Sequence, residues 1–339
     1  MRKALILLGL VVGGILAAVL AVALVGGSLF VRRTFPTIDG TVRVAGLHST
    51  VEVYRDKWGV PHIYAQDAED LFFAQGYVTA QDRLWQLEFN RRVGSGTLSE
   101  ICGEATLDTD RFIRTLGWRR VAEEEAKALE GETLAALEAY SAGVNAFIDS
   151  HRGSLPLEFT ILGFEPEPWT PADSISWAKV MAWDLGGNWE AELLRAQLID
   201  TVGEEKAAQL APPYPDTAPL IVPPELGGYA NLNDQALLQG SAGLRELLAA
   251  GSPGLGSNNW VVHGSRSATG QPLLANDMHL GLQIPSIWYE VHLVGGGFNV
   301  EGYSFPGVPG VIVGHNEHIA WGVTNLGPDV QDLYIEKVN

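Results

Sequence analysis

A helical front followed by a strand-rich back predicts a mixed α+β protein built in layers. Two patterns carry that expectation. Up to about residue 200, apolar residues recur at helical spacing. From Ser257 onward they fall into short runs separated by glycine-rich turns. The chain has 339 residues and is 46% hydrophobic, enough to bury a sizeable core.

The elements follow in order. Arg2 and Lys3 precede an apolar run from Ala4 to Val31, closed by Arg32 and Arg33. At the rise of an α-helix that run is long enough for a bilayer core of about 30 Å. Residues 1–33 are therefore expected to form a signal anchor, with the bulk of the chain outside the cytoplasm. Ala21-Val22-Ala23 is a small-x-small site, so a cleaved signal peptide is the alternative. Residues 34–48 are expected to be a linker. Val51 and Val53, the turn Asp56-Lys57-Trp58-Gly59 and Val60 to Tyr64 predict a hairpin. Asp67, with Asp70 three positions on, predicts a helix start. Phe73, Tyr77, Ala80, Leu84 and Leu87 continue that helix, and Gly94 is its expected stop. Leu137, Tyr140, Val144 and Ile148 predict a second helix. A third is expected over 174–183, interrupted at Gly186-Gly187 before 190–198.

Residues 212–256 change character. Pro212-Pro213-Tyr214-Pro215 and Pro223-Pro224 open the stretch, and Gly251-Ser252-Pro253-Gly254-Leu255-Gly256 ends it. A short helical patch over 239–250 lies between. The expectation is a connector with little core of its own. Strands are then predicted at 260–262, 272–275, 287–293, 311–313 and 319–321, with His315 to His318 as a solvated hairpin loop.

Several function classes lose support at once. The formal net charge is -18, so a nucleic-acid partner is excluded for want of a basic surface. The single cysteine, Cys102, permits no intrachain disulfide and is expected to be a small buried hydrophobe. There is no G-x-S-x-G elbow, P-loop, H-E-x-x-H or G-x-G-x-x-G after a strand. No organic cofactor is expected.

One junction carries chemistry. Gly256-Ser257 stands at the end of the connector and the head of an expected buried strand. Attack of the Ser257 hydroxyl on the preceding peptide would give an ester, and its hydrolysis would free an α-amine. Such an amine ordinarily titrates at about 7.7–8.0, so at neutral pH part of it is unprotonated beside its own hydroxyl. One residue then supplies both nucleophile and base. Taken alone, the heptapeptide Gly256 to Val262 reads more readily as a linker serine before a strand.

Ser257-Asn258-Asn259-Trp260 resembles the motif that opens the β-subunit in the penicillin acylase family of N-terminal nucleophile hydrolases. The resemblance extends to Asn276-Asp277-Met278-His279, Gly314-His315-Asn316 and Trp321-Gly322-Val323-Thr324-Asn325. Upstream it includes Asp56 to Ile63 and Ala80 to Glu88. It covers roughly residues 45–339. Histidine at 279 is similar to the cephalosporin and acyl-homoserine-lactone acylase branches. The resemblance implies a four-layer αββα sandwich with a helical N-terminal portion. It divides the chain into an α-subunit-like part (34–211), a spacer (212–256) and the start of a β-subunit (257–339), so that one precursor yields an α/β heterodimer.

By the same resemblance, Ser257 is the nucleophile, His279 contacts its amine or the substrate, and the Asn325 backbone N–H is an oxyanion donor. Met181, Leu280 and Val313 fall at positions of an apolar acyl pocket, the alternative being ordinary core. A structural Ca²⁺ is implied at Glu190, Asp329, Gln331 and Asp332, whose hard oxygens suit it; Glu192 stands close to Glu190. Family members run past this length, so the expectation is a chain truncated at its C-terminus. The implied activity is hydrolysis of an acylated amine, β-lactam or acyl-homoserine lactone. The alternative is a membrane-anchored binding or structural protein without chemistry.

Overall fold

The computed structural model describes residues 2–186, 188–210, 235–248, 256–325 and 330–334. Helix α1 (Arg2–Arg32) contains the stretch Gly13–Arg32, apolar and long enough to cross a membrane, a test that signal sequences also pass.

The predicted hairpin forms as β1 (Glu52–Arg55) and β2 (Pro61–Tyr64), paired antiparallel. Asp56 closes its turn, its Oδ1 accepting the N–H groups of Trp58 and Val60 at 2.8 and 2.9 Å. Helix α2 (Ala68–Ser95) starts where Asp67 caps it, the Asp70 N–H donating to Asp67 Oδ1 at 2.8 Å. Its stop is Gly96, not Gly94. Gly96 adopts φ 63°, the left-handed cap conformation. Gly94 lies within the helix because a β-carbon there would come within 2.8 Å of Ser176 Oγ.

Four short pieces follow: α3 (Ser99–Cys102), a 3-10 turn (Gly103–Thr106), α4 (Leu107–Leu116) and α5 (Trp118–Ala128). Cys102 is exposed, contrary to expectation, because its turn lies outside the core. Helix α6 (Gly131–Ser150) then crosses α2 with the two backbones in contact. A β-carbon on Gly143 would stand 1.9 Å from the Phe73 carbonyl oxygen, and one on Gly76 2.1 Å from that of Tyr140. Only glycine permits that approach. Tyr77, Leu84, Leu87, Tyr140, Val144 and Phe147 pack around the crossing. The Tyr140 hydroxyl accepts the Gly307 N–H at 3.0 Å, and burial pushes its pKa up to about 12.

Helices α7 (Leu157–Leu162), α8 (Pro171–Gly186), α9 (Trp189–Val202) and α10 (Glu204–Ala208) complete the helical front. The described part of the connector contains α11 (Gln235–Leu247). It has more core than expected: Leu244 is fully buried in the largest apolar cluster, with Phe112, Trp183 and Trp189.

The strands behind are β3 (Ser257–Val262), β4 (Leu273–Met278), β5 (Tyr289–Gly295), β6 (Phe298–Ser304), β7 (Val313–Asn316) and β8 (Ala320–Trp321). They form two sheets, β3–β4 and β1-β2-β5-β6-β7-β8. The larger sheet joins strands from both sides of the connector, because β2 pairs parallel with β5. Ile63, Val291 and Leu293 point from it onto Leu71, Ala74 and Val78 of α2. The expected α+β class is therefore observed. Strand β6 is an addition to the predicted set. Strand β3 is not the buried strand that was expected: Trp260 and Val261 are 68% and 72% exposed, since among the described residues it pairs only with β4.

Candidate active site

Ser257 heads β3 and stands opposite Met278 in the β3–β4 register. One residue further along, the His279 backbone N–H donates to the Gly256 carbonyl oxygen at 2.8 Å. The carbonyl of the peptide that precedes Ser257 is thus held by a hydrogen bond from the neighbouring strand. The His279 ring lies over the same end of the hairpin, with Nε2 3.0 Å from Asp277 Oδ2.

Asn276 ties this hairpin to the segment after β8. Its Oδ1 accepts the Val323 N–H at 2.9 Å, and its Nδ2 donates to the Val323 and Asn258 carbonyls at 2.9 and 3.1 Å. A β-carbon on Gly322 would lie 2.7 Å from the Asn276 side chain, so the contact needs glycine there. Both residues belong to motifs that carry the family resemblance, but nothing in the sequence links one to the other. Asn325, two residues beyond Val323, is exposed, and its Nδ2 donates to the Leu185 carbonyl of α8. Ser257, His279 and the 321–325 segment are therefore joined through β4. No contact places the Asn325 backbone N–H on Ser257 among the described residues.

The expected pocket residues separate. Met181 lines a cavity of about 210 Å³ together with Phe89, Trp177, Asp184, Ile287 and Leu247. The Trp177 indole N–H is buried without a hydrogen-bond partner among the described residues. Burial raises the Asp184 carboxyl above the ordinary carboxylate range, against a smaller opposing pull from Arg245. Leu280 is half-buried and Val313 buried, and neither lines this cavity. Leu247 and its neighbour Leu248 come from the connector, so the spacer forms one wall.

The expected calcium ligands fall in two places. Glu190 faces α11: Arg245 Nη2 donates to both of its oxygens at 3.0 and 3.1 Å, and Ser241 Oγ to Oε1 at 2.7 Å. The Arg245 guanidinium also stacks 4.8 Å from the Trp183 ring centroid. Residues 330–334 dock on the start of α9 instead. Gln331 exchanges two 3.2 Å hydrogen bonds with Asn188, and the Leu333 N–H donates to Glu192 Oε2 at 2.9 Å. Asp332 is exposed and Asp329 lies outside the described residues. In this arrangement the Glu190 carboxylate is occupied by a guanidinium from its own chain, which an ion at this residue would have to displace. Glu192 is the acidic side chain that meets the segment of Gln331 and Asp332.

A further network, not expected from sequence, crosses the connector. Arg55 of β1 grips Asp82 of α2 at 2.7 and 3.0 Å, and Tyr289 of β5 donates its hydroxyl to Asp82 at 2.5 Å. Burial and the adjacent carboxylate hold the Tyr289 hydroxyl well above its ordinary pKa.

A serine thus heads the first strand after the connector, the glycine carbonyl before it is held from the neighbouring strand, and one sheet spans both sides of that junction. Residues 50–339 match the profile of the penicillin amidase family, and the chain belongs to that family. It is 37% identical over 313 residues to a penicillin acylase 2 proenzyme of a Pseudomonas species, covering 90% of this chain and 40% of that protein. It is 35% identical over 311 residues to the acyl-homoserine lactone acylase QuiP of Pseudomonas aeruginosa, covering 90% of this chain and 36% of the relative. A thermostable penicillin G acylase from Alcaligenes faecalis aligns in structure with TM-score 0.43 and 31% identity, over 51% of this chain and 97% of that one. The chain spans about 40% of the length of the first two relatives or less.

Proposed function

We propose that the intact protein is an exported acylase that matures by cutting itself between Gly256 and Ser257. The observation that carries this reading is the hydrogen bond from the His279 N–H to the Gly256 carbonyl, at the head of the strand that Ser257 opens. Ser257 Oγ attacks the Gly256 carbonyl carbon, and the His279 N–H meets the charge that develops on its oxygen. The C–N bond breaks, the amine of Ser257 takes the proton, and water hydrolyses the ester. Gly256 leaves as a carboxylate and Ser257 becomes an N-terminus.

The second reaction repeats the chemistry on a substrate. The unprotonated amine of Ser257 takes the proton of its own hydroxyl, and Oγ attacks an amide carbonyl. The Asn325 backbone N–H serves as one oxyanion donor and His279 orients the amine. The leaving amine departs protonated, and water releases the acid. The relatives named for penicillins and for acyl-homoserine lactones support an acylated amine, β-lactam or acyl-homoserine lactone as substrate. Met181 and the aromatic cavity around it suit a hydrophobic acyl group, which enters once the Leu247 wall withdraws. The products of the cut stay together as an α/β heterodimer through the shared sheet. The apolar α1 either anchors this assembly or is removed on export. The same reading includes a structural Ca²⁺ at Glu190, Asp329, Gln331 and Asp332, which plays no part in either reaction.

Mass spectrometry of the purified protein tests the reading. The expected result is a fragment beginning Ser-Asn-Asn-Trp, absent in Ser257→Ala. An uncut chain whose serine resists a reactive amide probe supports a binding protein instead.

A further inference from the structure

Two imidazoles meet on the larger sheet, outside the site described above. His62 of β2 stands opposite His292 of β5 in the parallel register, and their Nδ1 atoms lie 3.0 Å apart. The rings are nearly perpendicular, at 88°. Both side chains are half-buried, on the sheet face away from α2, since their neighbours Ile63, Val291 and Leu293 point to α2.

A relay sets the proton of one ring. His292 Nε2 lies 3.0 Å from Asn299 Oδ1, and Asn299 Nδ2 donates to Glu317 Oε1 at 3.0 Å. The amide oxygen can only accept, so Nε2 of His292 carries the hydrogen and Nδ1 presents a lone pair. The same sheet face adds acidic and basic groups in register. Glu301 of β6 stands opposite His292, and His315 of β7 opposite Glu301, with His315 Nε2 3.9 Å from Glu301 Oε2. Four adjacent strands thus present imidazole, imidazole, carboxylate and imidazole in one row.

We propose that His62 and His292 chelate a divalent transition-metal ion through their Nδ1 atoms, with zinc-like chemistry and with water completing the coordination. Imidazole suits zinc, copper and nickel rather than calcium or magnesium. Two nitrogens bound at about 2.0–2.1 Å to a tetrahedral zinc stand about 3.3 Å apart, close to the spacing that these rings already have. The Glu317–Asn299–His292 relay is the kind of support that fixes a ligating ring in its tautomer. On binding, the proton between the two Nδ1 atoms moves to Nε2 of His62, so both rings coordinate as neutral imidazoles without an external base. The ion would bridge a strand before the connector to a strand after it. Among the described residues, the cluster of His48 with Asp67 and Asp70 carries nothing comparable. Both Asp70 oxygens accept backbone N–H groups at 2.8 Å, and Asp67 Oδ1 caps α2.

Calorimetric titration of Zn²⁺ into the metal-free full chain tests the site, run on the parent and on Ser257→Ala so that binding is read independently of cutting. The expected result is one saturable site per chain in both. His62→Gln and His292→Gln should each abolish it, with Co²⁺ giving tetrahedral visible absorption only when both rings are present. Asn299→Ala, which leaves both ligands in place, should weaken binding about ten- to a hundredfold. Absence of saturable binding to the folded parent overturns the proposal, as does undiminished binding in the double glutamine variant. Should the glutamine variants fail to fold, equal affinity in Asn299→Ala and parent overturns it.

Discussion

Gly143→Ala adds one methyl group where α2 and α6 touch. The new carbon would lie 1.9 Å from the Phe73 carbonyl oxygen and 2.8 Å from both the Phe73 carbonyl carbon and the Tyr77 nitrogen. Nonbonded heavy atoms settle near 3.5–4.0 Å, so the helices must part by more than about 1 Å. The obstacle is backbone, which has no rotamer to escape into. Parting the helices loosens the Tyr77–Phe147 ring pair, whose centroids are 5.5 Å apart, and the buried side chains around it. Overpacking of this kind costs about 1–3 kcal/mol and occasionally more. Alanine returns about 1 kcal/mol in helix propensity. With the clash at the severe end, a net loss near 2 kcal/mol is expected, or about 4–8 °C in Tm. Urea and thermal unfolding of the uncut Ser257→Ala background measure it without fragment dissociation. Gly186→Ala is the control, since among the described residues its methyl would meet Val330 Cγ2 alone, at an ordinary 3.6 Å. A Gly143→Ala protein as stable as the Gly186→Ala protein would refute the close-contact argument.

Three further outcomes follow from the site. Asn276→Ala removes three hydrogen bonds between the Ser257 hairpin, Asn258 and Val323, so self-cleavage should slow at least about tenfold, read as precursor band intensity over time; unchanged processing would mean that Asn276 does not position the junction. Arg245→Ala releases Glu190 from its guanidinium partner. Calcium affinity of the uncut chain, by calorimetry, should then rise, and an unchanged value removes Glu190 from the proposed ligand set. Asp184 has a raised folded pKa, so its ionisation opposes folding. Stability from this group is present below its ordinary value of 3.8 and is lost as pH rises through the raised folded value. Asp184→Asn should therefore stabilise the protein at pH 7, with the gain fading towards pH 3–4 in urea melts; a pH-independent gain would assign the effect to packing.

What the sequence made legible was local chemistry. The Asp56 turn and the Asp67 cap act within four residues, and both formed as expected. Gly94 misled because a glycine required by packing looks identical to one required by a left-handed cap. Strand β6 escaped notice because Asn299, Glu301 and Gly302 break its apolar pattern. The connector helix looked coreless because its Gly and Ala content hides one deeply buried leucine, Leu244. The Ser257 junction was legible through its motif. Its support was not: Asn276 meets Val323 across 47 residues, and Arg245 meets Glu190 across 55. Such distant polar pairings leave no periodic trace. The apolar character of Trp260 and Val261 correctly marks a strand but does not say what covers it.

The parallel pairing of β2 with β5 closes a loop of more than two hundred residues that holds the whole helical front and the connector. While that loop is continuous, the two strands find one another as parts of one polymer, and refolding is first-order. Once the chain is severed inside it, the same pairing becomes an encounter between separate molecules, and recovery from denaturant should depend on concentration. A severed form would then be held by the memory of its assembly, and dilution after unfolding would strand the two pieces apart.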